Sequence, residues 1–210
     1  MKIFLVVFLT VATLLLGAFE YNRRIQVNKI KKLQAEVGHL KEFKEKEKRI
    51  FLMEEAMQVC FDVSEFEAHY YCILYDDFAT KYGIPWEIYP SIIRIESNFN
   101  PTLKSNMGAR GIAQVMENTG KEVADKIGII YEPAITLWND LLCQIIGFTY
   151  LSEAIKEKGL DDGVKVYLGG PGFDTGRKDI GQYRTTVRKE FDRLSYVYKG
   201  VLYDSLQRVD

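Results

Sequence analysis

The sequence predicts a mainly α-helical fold: a globular helical domain preceded by an N-terminal membrane helix and a helical arm. Three observations carry this. Apolar residues recur at spacings of three and four along most of the chain. No alternation of period two runs longer than a few residues, and residues 3–19 are apolar and uncharged. With 210 residues, the chain suits one folded domain plus an appendage. An apolar fraction of 47% with 27% charged residues excludes disorder over most of the length. The net charge of -1 argues against general nucleic-acid binding, which rests on neutralising many phosphates.

The elements follow in order. Residues 3–19 (IFLVVFLTVATLLLGAF) would span about 25 Å as a helix, the lower edge of a membrane crossing. The expectation is an uncleaved anchor within residues 1–22; a cleaved signal peptide is the alternative, with a poor small-residue site at Leu16-Gly17-Ala18. Lys2 precedes the segment, whereas Arg23, Arg24, Lys29, Lys31 and Lys32 follow it. Taken alone, that bias would hold the bulk of the chain in the cytoplasm. Residues 23–60 form the charged arm, and Ile30, Leu33, Val37 and Leu40 step as the seam of a short coiled coil. The seam offers a surface for self-association; the alternative is one ordinary helix docked on the domain of residues 61–210.

Residues 78–101 hold the first chemistry-bearing segment. A helix should start near Pro85 or Trp86, with Ile88, Ile92, Ile95 and Phe99 on a buried face. Tyr89, Ile93 and Glu96 form the neighbouring stripe. Glu96 is thus a lone carboxylate at the C-terminal end of an apolar helix, where burial and the helix dipole both favour its protonated form. A further segment, Gly108-Ala109-Arg110-Gly111-Ile112-Ala113-Gln114-Val115-Met116, pairs two glycines with an amide able to donate and accept. Thr119 and Glu122 read as a capping box opening the next helix, which Gly128 ends. Another helix is expected from Asn139 to Lys158 with Gly159 as its stop. Residues 166–172 read as a glycine-rich loop carrying Tyr167, and a last helix covers residues 180–194. Cys60, Cys72 and Cys143 have no metal-ligand spacing with His39 or His69, so neither a metal nor a cofactor is expected; free thiols are.

These segments, in this order, resemble the lytic transglycosylase domain of the soluble-lytic-transglycosylase type, within the lysozyme-like α+β superfamily. Glu96-Ser97-Asn98-Phe99-Asn100-Pro101 is similar to the family's Glu-Ser and Phe-x-Pro motif. The Gly108 to Met116 string is similar to Gly-Ala-x-Gly-Leu-Met-Gln-x-Met. Gly147-Phe148-Thr149-Tyr150-Leu151 and Val166-Tyr167-Leu168-Gly169-Gly170-Pro171-Gly172 complete the set. Four departures mark a divergent member: Leu168 and Cys143 replace asparagines, Glu117 replaces a proline, and Gln182 falls where a glutamate is usual.

The resemblance implies peptidoglycan glycan strands as substrate and Glu96 as the catalytic residue. It implies that Gln114 and Met116 line the subsite, that Ser97 holds the glutamate or a sugar, and that Tyr167 bonds Glu96 or the substrate. Phe99, Gly108 and Gly111 are assigned to the scaffold. Two alternatives stay open. One is a lysozyme-type muramidase using Asp140, Asp174 or Asp179 as a second carboxylate. The other is an inactive membrane-anchored glycan-binding protein. The working location implied is a membrane, bacterial or of a phage virion, with the domain facing peptidoglycan.

Overall fold

The computed structural model describes the backbone of residues 2–170 and 178–207, and the side chains of residues 13–170 and 181–202. Seven helices occur among them, and no strand; Lys104, Arg110 and Val115 form only isolated bridges. Helix α1 (Lys2–Cys60) runs unbroken. Two compact units divide it, Met1–Arg49 and Ile50–Asp210. The core therefore begins at Ile50, ahead of the boundary expected at residue 61, because Ile50, Met53, Ala56 and Met57 are buried in the second unit. Among the described residues no helix is long and apolar enough to cross a membrane. Most of the anchor expected at residues 3–19 falls on residues 1–12, whose side chains lie outside the described set.

Helix α2 (Glu65–Tyr82) opens on a capping box between Ser64 and Glu67 and closes on Gly83 at φ 67°. Its Ala68, Tyr71, Cys72, Tyr75 and Phe78 recur at helical spacing and are buried. Helix α3 (Ile88–Glu96) begins slightly later than expected. Ile95 and Phe99, expected on its buried face, are half-buried, whereas Ile88, Tyr89, Ile92 and Ile93 are at most 2% exposed. Around them Tyr75, Phe78, Tyr89 and Phe148 form an aromatic cluster with centroids 4.8–6.2 Å apart. Each such pair contributes about 0.5–1.5 kcal/mol beyond its burial. The polar end of Tyr89 meets Ser152 Oγ at 2.9 Å, which removes the cost of burying a hydroxyl.

Helix α4 (Glu117–Ile127) starts two residues before the expected cap at Thr119. The first helical bond already runs from the Gly120 N–H to the Met116 carbonyl at 2.8 Å, and the Arg110 guanidinium pairs with Glu117 at 2.9 Å beside that turn. Helix α5 (Asp140–Lys158) is capped by the Asn139 side chain and ends at Gly159, as expected. Helix α6 (Leu160–Gly169) contains Val166, Tyr167 and Leu168, so the expected glycine-rich loop begins only at Gly170. Residues 160–168 carry no proline, Val164 packs into the core, and Gly163 lets α6 close on α5, where a Cβ would lie 2.5 Å from the Ile155 backbone. Pro171 and Gly172 lie outside the described residues. Helix α7 (Lys178–Gln207) is longer than expected at both ends. It packs on α3 and α6, with Val187 and Leu194 fully inside.

Candidate active site

Glu96 is the last residue of α3, and the chain reverses immediately after it. Asn98 and Phe99 take φ of 53° and 63° in succession. A left-handed phenylalanine is costly, and packing holds it here: its ring lies 5.2 Å from Phe61 and 5.8 Å from Tyr71. Ser97 is 6% exposed, and its hydroxyl donates to the Ile112 carbonyl at 2.6 Å. It thus ties the glutamate's helix to the following loop, where a bond to the glutamate or a sugar was the expectation.

The loop of residues 108–116 has its own steric logic. Gly111 sits at φ 72°, and a Cβ there would lie 2.0 Å from the Leu137 carbonyl oxygen and 2.8 Å from Cys143 Sγ. Cys143, where the family carries asparagine, is a buried thiol that donates to the Arg110 carbonyl at 3.5 Å. Gln114 takes φ 49°, and its Nε2 donates to the carbonyls of Leu103 at 3.0 Å and Gly111 at 2.8 Å. Both amide hydrogens are thereby used. The expectation that Gln114 both donates and accepts narrows to acceptance through Oε1.

Two tyrosines approach Glu96, and their roles differ from expectation. The Tyr183 hydroxyl, on α7, donates to Glu96 Oε1. Tyr167 instead donates to the Ala113 carbonyl at 2.7 Å. The Tyr167 hydroxyl occupies the space a Cβ on Gly147 would enter, 2.7 Å away, which explains the glycine in that motif. The Glu96 carboxyl is raised to about 7, because burial outweighs the opposing pull of the Tyr183 hydrogen bond. Both phenols are held well above their ordinary value, first by burial and then by the Glu96 charge. Each remains a donor at neutral pH.

Gln114, Met116 and Tyr167 line one pocket of about 170 Å³ with Tyr150, Leu168 and Gly170. Glu96 is not among its lining residues; Tyr167 is the side chain shared by the pocket and the surroundings of the carboxyl. Helix α7, which carries the donor, is fastened to α3 by Trp86 against Tyr198 at 5.3 Å and by Glu87 with Ser195. Sequence reasoning missed Tyr183. Its signal was weak, a tyrosine four residues before Val187 on the buried side of the last helix. Of the aspartates weighed as a second carboxylate, Asp140 accepts from Tyr71 at 3.2 Å and Gln144 at 2.9 Å. The side chains of Asp174 and Asp179 lie outside the described residues.

Comparison with known proteins follows from this geometry. The Transglycosylase SLT domain family matches residues 74–184. The 70-kDa soluble lytic transglycosylase of Escherichia coli is 24% identical over 60% of this chain and 22% of its own, with a TM-score of 0.41. An inactive mutant of the lytic transglycosylase Slt from Pseudomonas aeruginosa is 22% identical over 63% of this chain and 24% of its own, with a TM-score of 0.43. The chain thus spans under a quarter of the length of these solved structures. No curated protein matches it significantly.

Proposed function

Because this chain belongs to the Transglycosylase SLT domain family, we propose that it is a peptidoglycan lytic transglycosylase that uses Glu96 as its single acid and base. The observation that carries the reading is a part-buried carboxyl at about 7 that, among the described residues, has a single tyrosine donor. A group near neutrality is present in both forms at working pH, which suits giving and then taking a proton.

The cleavage proceeds in two steps. Protonated Glu96 gives its proton to the oxygen bridging N-acetylmuramic acid and N-acetylglucosamine. The muramoyl acetamide oxygen attacks C1 as that bond breaks, as in other substrate-assisted cleavages. The Glu96 carboxylate, now stabilised by the Tyr183 hydroxyl, removes the proton from the C6 hydroxyl. Its oxygen closes on C1, the acetamide departs, and a 1,6-anhydro ring forms. Glu96 ends protonated, ready for the next bond. Gln114 Oε1 accepts from the sugar, while Met116, Tyr150 and Leu168 form the apolar wall.

Mass spectrometry of the products tests this directly. Transglycosylation leaves a muramoyl end one water lighter than hydrolysis does. Hydrolytic ends alone would establish a muramidase, and intact strands would leave a binding protein. The proposed activity requires the domain to lie on the peptidoglycan side of a membrane. We assign residues 3–19 as the anchor, on their uncharged and apolar-dominated run.

A further inference from the structure

Residues 30–41 of α1 carry an apolar stripe that the described residues leave open. Ile30, Leu33, Val37 and Leu40 are 53%, 50%, 49% and 61% exposed. A furrow beside the stripe is lined by Ile30, Leu33, Gln34, Val37, Gly38 and Lys41. On a solvated helix, four such side chains in one line are a stripe that needs a partner.

The spacing says what kind of partner. Steps of three, four and three have a period of 3.5, slightly short of the helical repeat. A straight helix cannot keep such a stripe against a neighbour, and two helices keep it by supercoiling. With Ile30 and Val37 at the a positions, Leu33 and Leu40 fall at d. β-Branched residues at a with leucine at d favour two parallel strands over three or four. The flanking charges select the same arrangement. Glu36 falls at g and Lys41 at the next e, so a parallel pair in register places Glu36 of each copy against Lys41 of the other. The antiparallel register that covers all four apolar residues would instead set Glu36 against Glu36. Glu36 lies 4.0 Å from Lys32 on its own helix, an exposed pair that leaves its carboxylate free to reach across. Arg23 and Gln26 before the stripe, and Lys44 and Glu47 after it, occupy the same a and d phases and bound the seam at both ends.

We propose that residues 30–41 of α1 form a parallel, in-register, two-stranded coiled coil with a second copy of this chain. Two heptads make a short seam, but the strands are already helical within α1, so little ordering remains to oppose it. Anchoring both copies in one membrane would raise their effective concentration further.

The test uses the full-length chain in mild detergent at high protein concentration. Sedimentation should give the mass of two chains. Val37→Cys should form a disulfide-linked dimer on mild oxidation, above the baseline set by wild type with its own Cys60, Cys72 and Cys143. The double variant Leu33→Asp/Val37→Asp should lose the dimer while keeping its helicity and its catalytic rate. A mass of one or three chains overturns the proposal. So does cross-linking confined to a mixture of Leu33→Cys and Val37→Cys chains, which marks the antiparallel arrangement. A dimer that survives the double substitution places the contact elsewhere and overturns it as well.

Discussion

Deleting one hydroxyl on α7 separates the two tyrosines near Glu96. Tyr183→Phe keeps the ring and removes the donor to Glu96 Oε1. That bond favours the carboxylate and opposes the burial that lifts the group to about 7. A hydrogen bond to a charged group contributes about 1.5–3 kcal/mol, equivalent to roughly one to two pH units. Its loss favours the protonated form, so the alkaline limb of the rate profile should move upward by that amount. Tyr167→Phe removes a hydroxyl bonded to the Ala113 carbonyl, so its limb should stay near 7. Its cost should appear in stability, at about 1–3 kcal/mol for the carbonyl left without a donor. Among the described residues these two phenols, on α7 and α6, feel the Glu96 charge, and both stay protonated across the range. Initial rates on uncrosslinked glycan strands, from about pH 5 to about pH 9, read the limb directly. A limb that moves in Tyr167→Phe and not in Tyr183→Phe would refute the assignment.

Glu96→Gln should lower turnover by about a hundredfold to ten-thousandfold or more while leaving glycan binding intact; a rate within tenfold of wild type would remove Glu96 from the chemistry. The same variant should also alter stability. The carboxyl is raised from 4.5 to about 7 in the folded chain, so the folded state binds more protons between those values. Its stabilising contribution is full below about 4.5 and lost as pH rises through about 7, so denaturant titration should show the glutamine variant more stable at alkaline pH by up to about 3 kcal/mol, with no such gain in acid. Gly111→Ala should destabilise the fold by about 3 kcal/mol or more, because a left-handed site and a 2.0 Å approach to Leu137 both oppose a Cβ; a melting temperature near wild type would count against that geometry. For the anchor, the protein should retain Met1, pellet with membrane until detergent releases it, and lose its domain to protease added outside intact spheroplasts. Protection in spheroplasts and in opened virions alike would place the domain on the wrong side of the membrane.

Local rules carried most of the helices. Gly128 and Gly159 terminate α4 and α5 at φ 75° and 84°, backbone conformations that a residue without a Cβ takes at little cost. The buried stripes of α3 follow from spacing alone, and so does the isolation of Glu96 at its end. Misreadings arose where a distant group overrides a local signal. Thr119 and Glu122 look like a cap, but the first helical bond is already made to the Met116 carbonyl, where Glu117 also meets Arg110 from the preceding loop. Two consecutive glycines suggested a loop around Tyr167, although Gly169 closes α6 and only Gly170, at φ 79°, leaves it. Tyr183 is the clearest case. It lies 87 residues from Glu96, and no periodicity within α7 encodes which residue of α3 it meets. That pairing is set by the docking of Trp86 on Tyr198 and of Glu87 on Ser195.

Three of the four departures from the family pattern make physical sense once the proton chemistry and the pocket wall are separated, and nothing in the structure explains Gln182. The acidity of Glu96 depends on its burial and on Tyr183. Leu168 contributes to neither; it is 40% exposed and faces the pocket beside Met116, itself 44% exposed. Replacing an amide by leucine there changes what the wall can bind, while the carboxyl keeps its environment. Cys143 and Glu117 fall on the scaffold side. The thiol is small enough to sit 2.8 Å from where a Gly111 Cβ would be, and it still donates to the Arg110 backbone. Glu117 then pairs with the Arg110 side chain, so both substitutions converge on the residue that precedes Gly111. A loop held from two sides at Arg110 keeps Gln114 in its left-handed conformation with both amide hydrogens on backbone carbonyls. Divergence at these positions therefore preserves the placement of Gln114 and the surroundings of Glu96, so in the proposed reaction the altered wall at Leu168 bears on substrate affinity and not on the proton transfer.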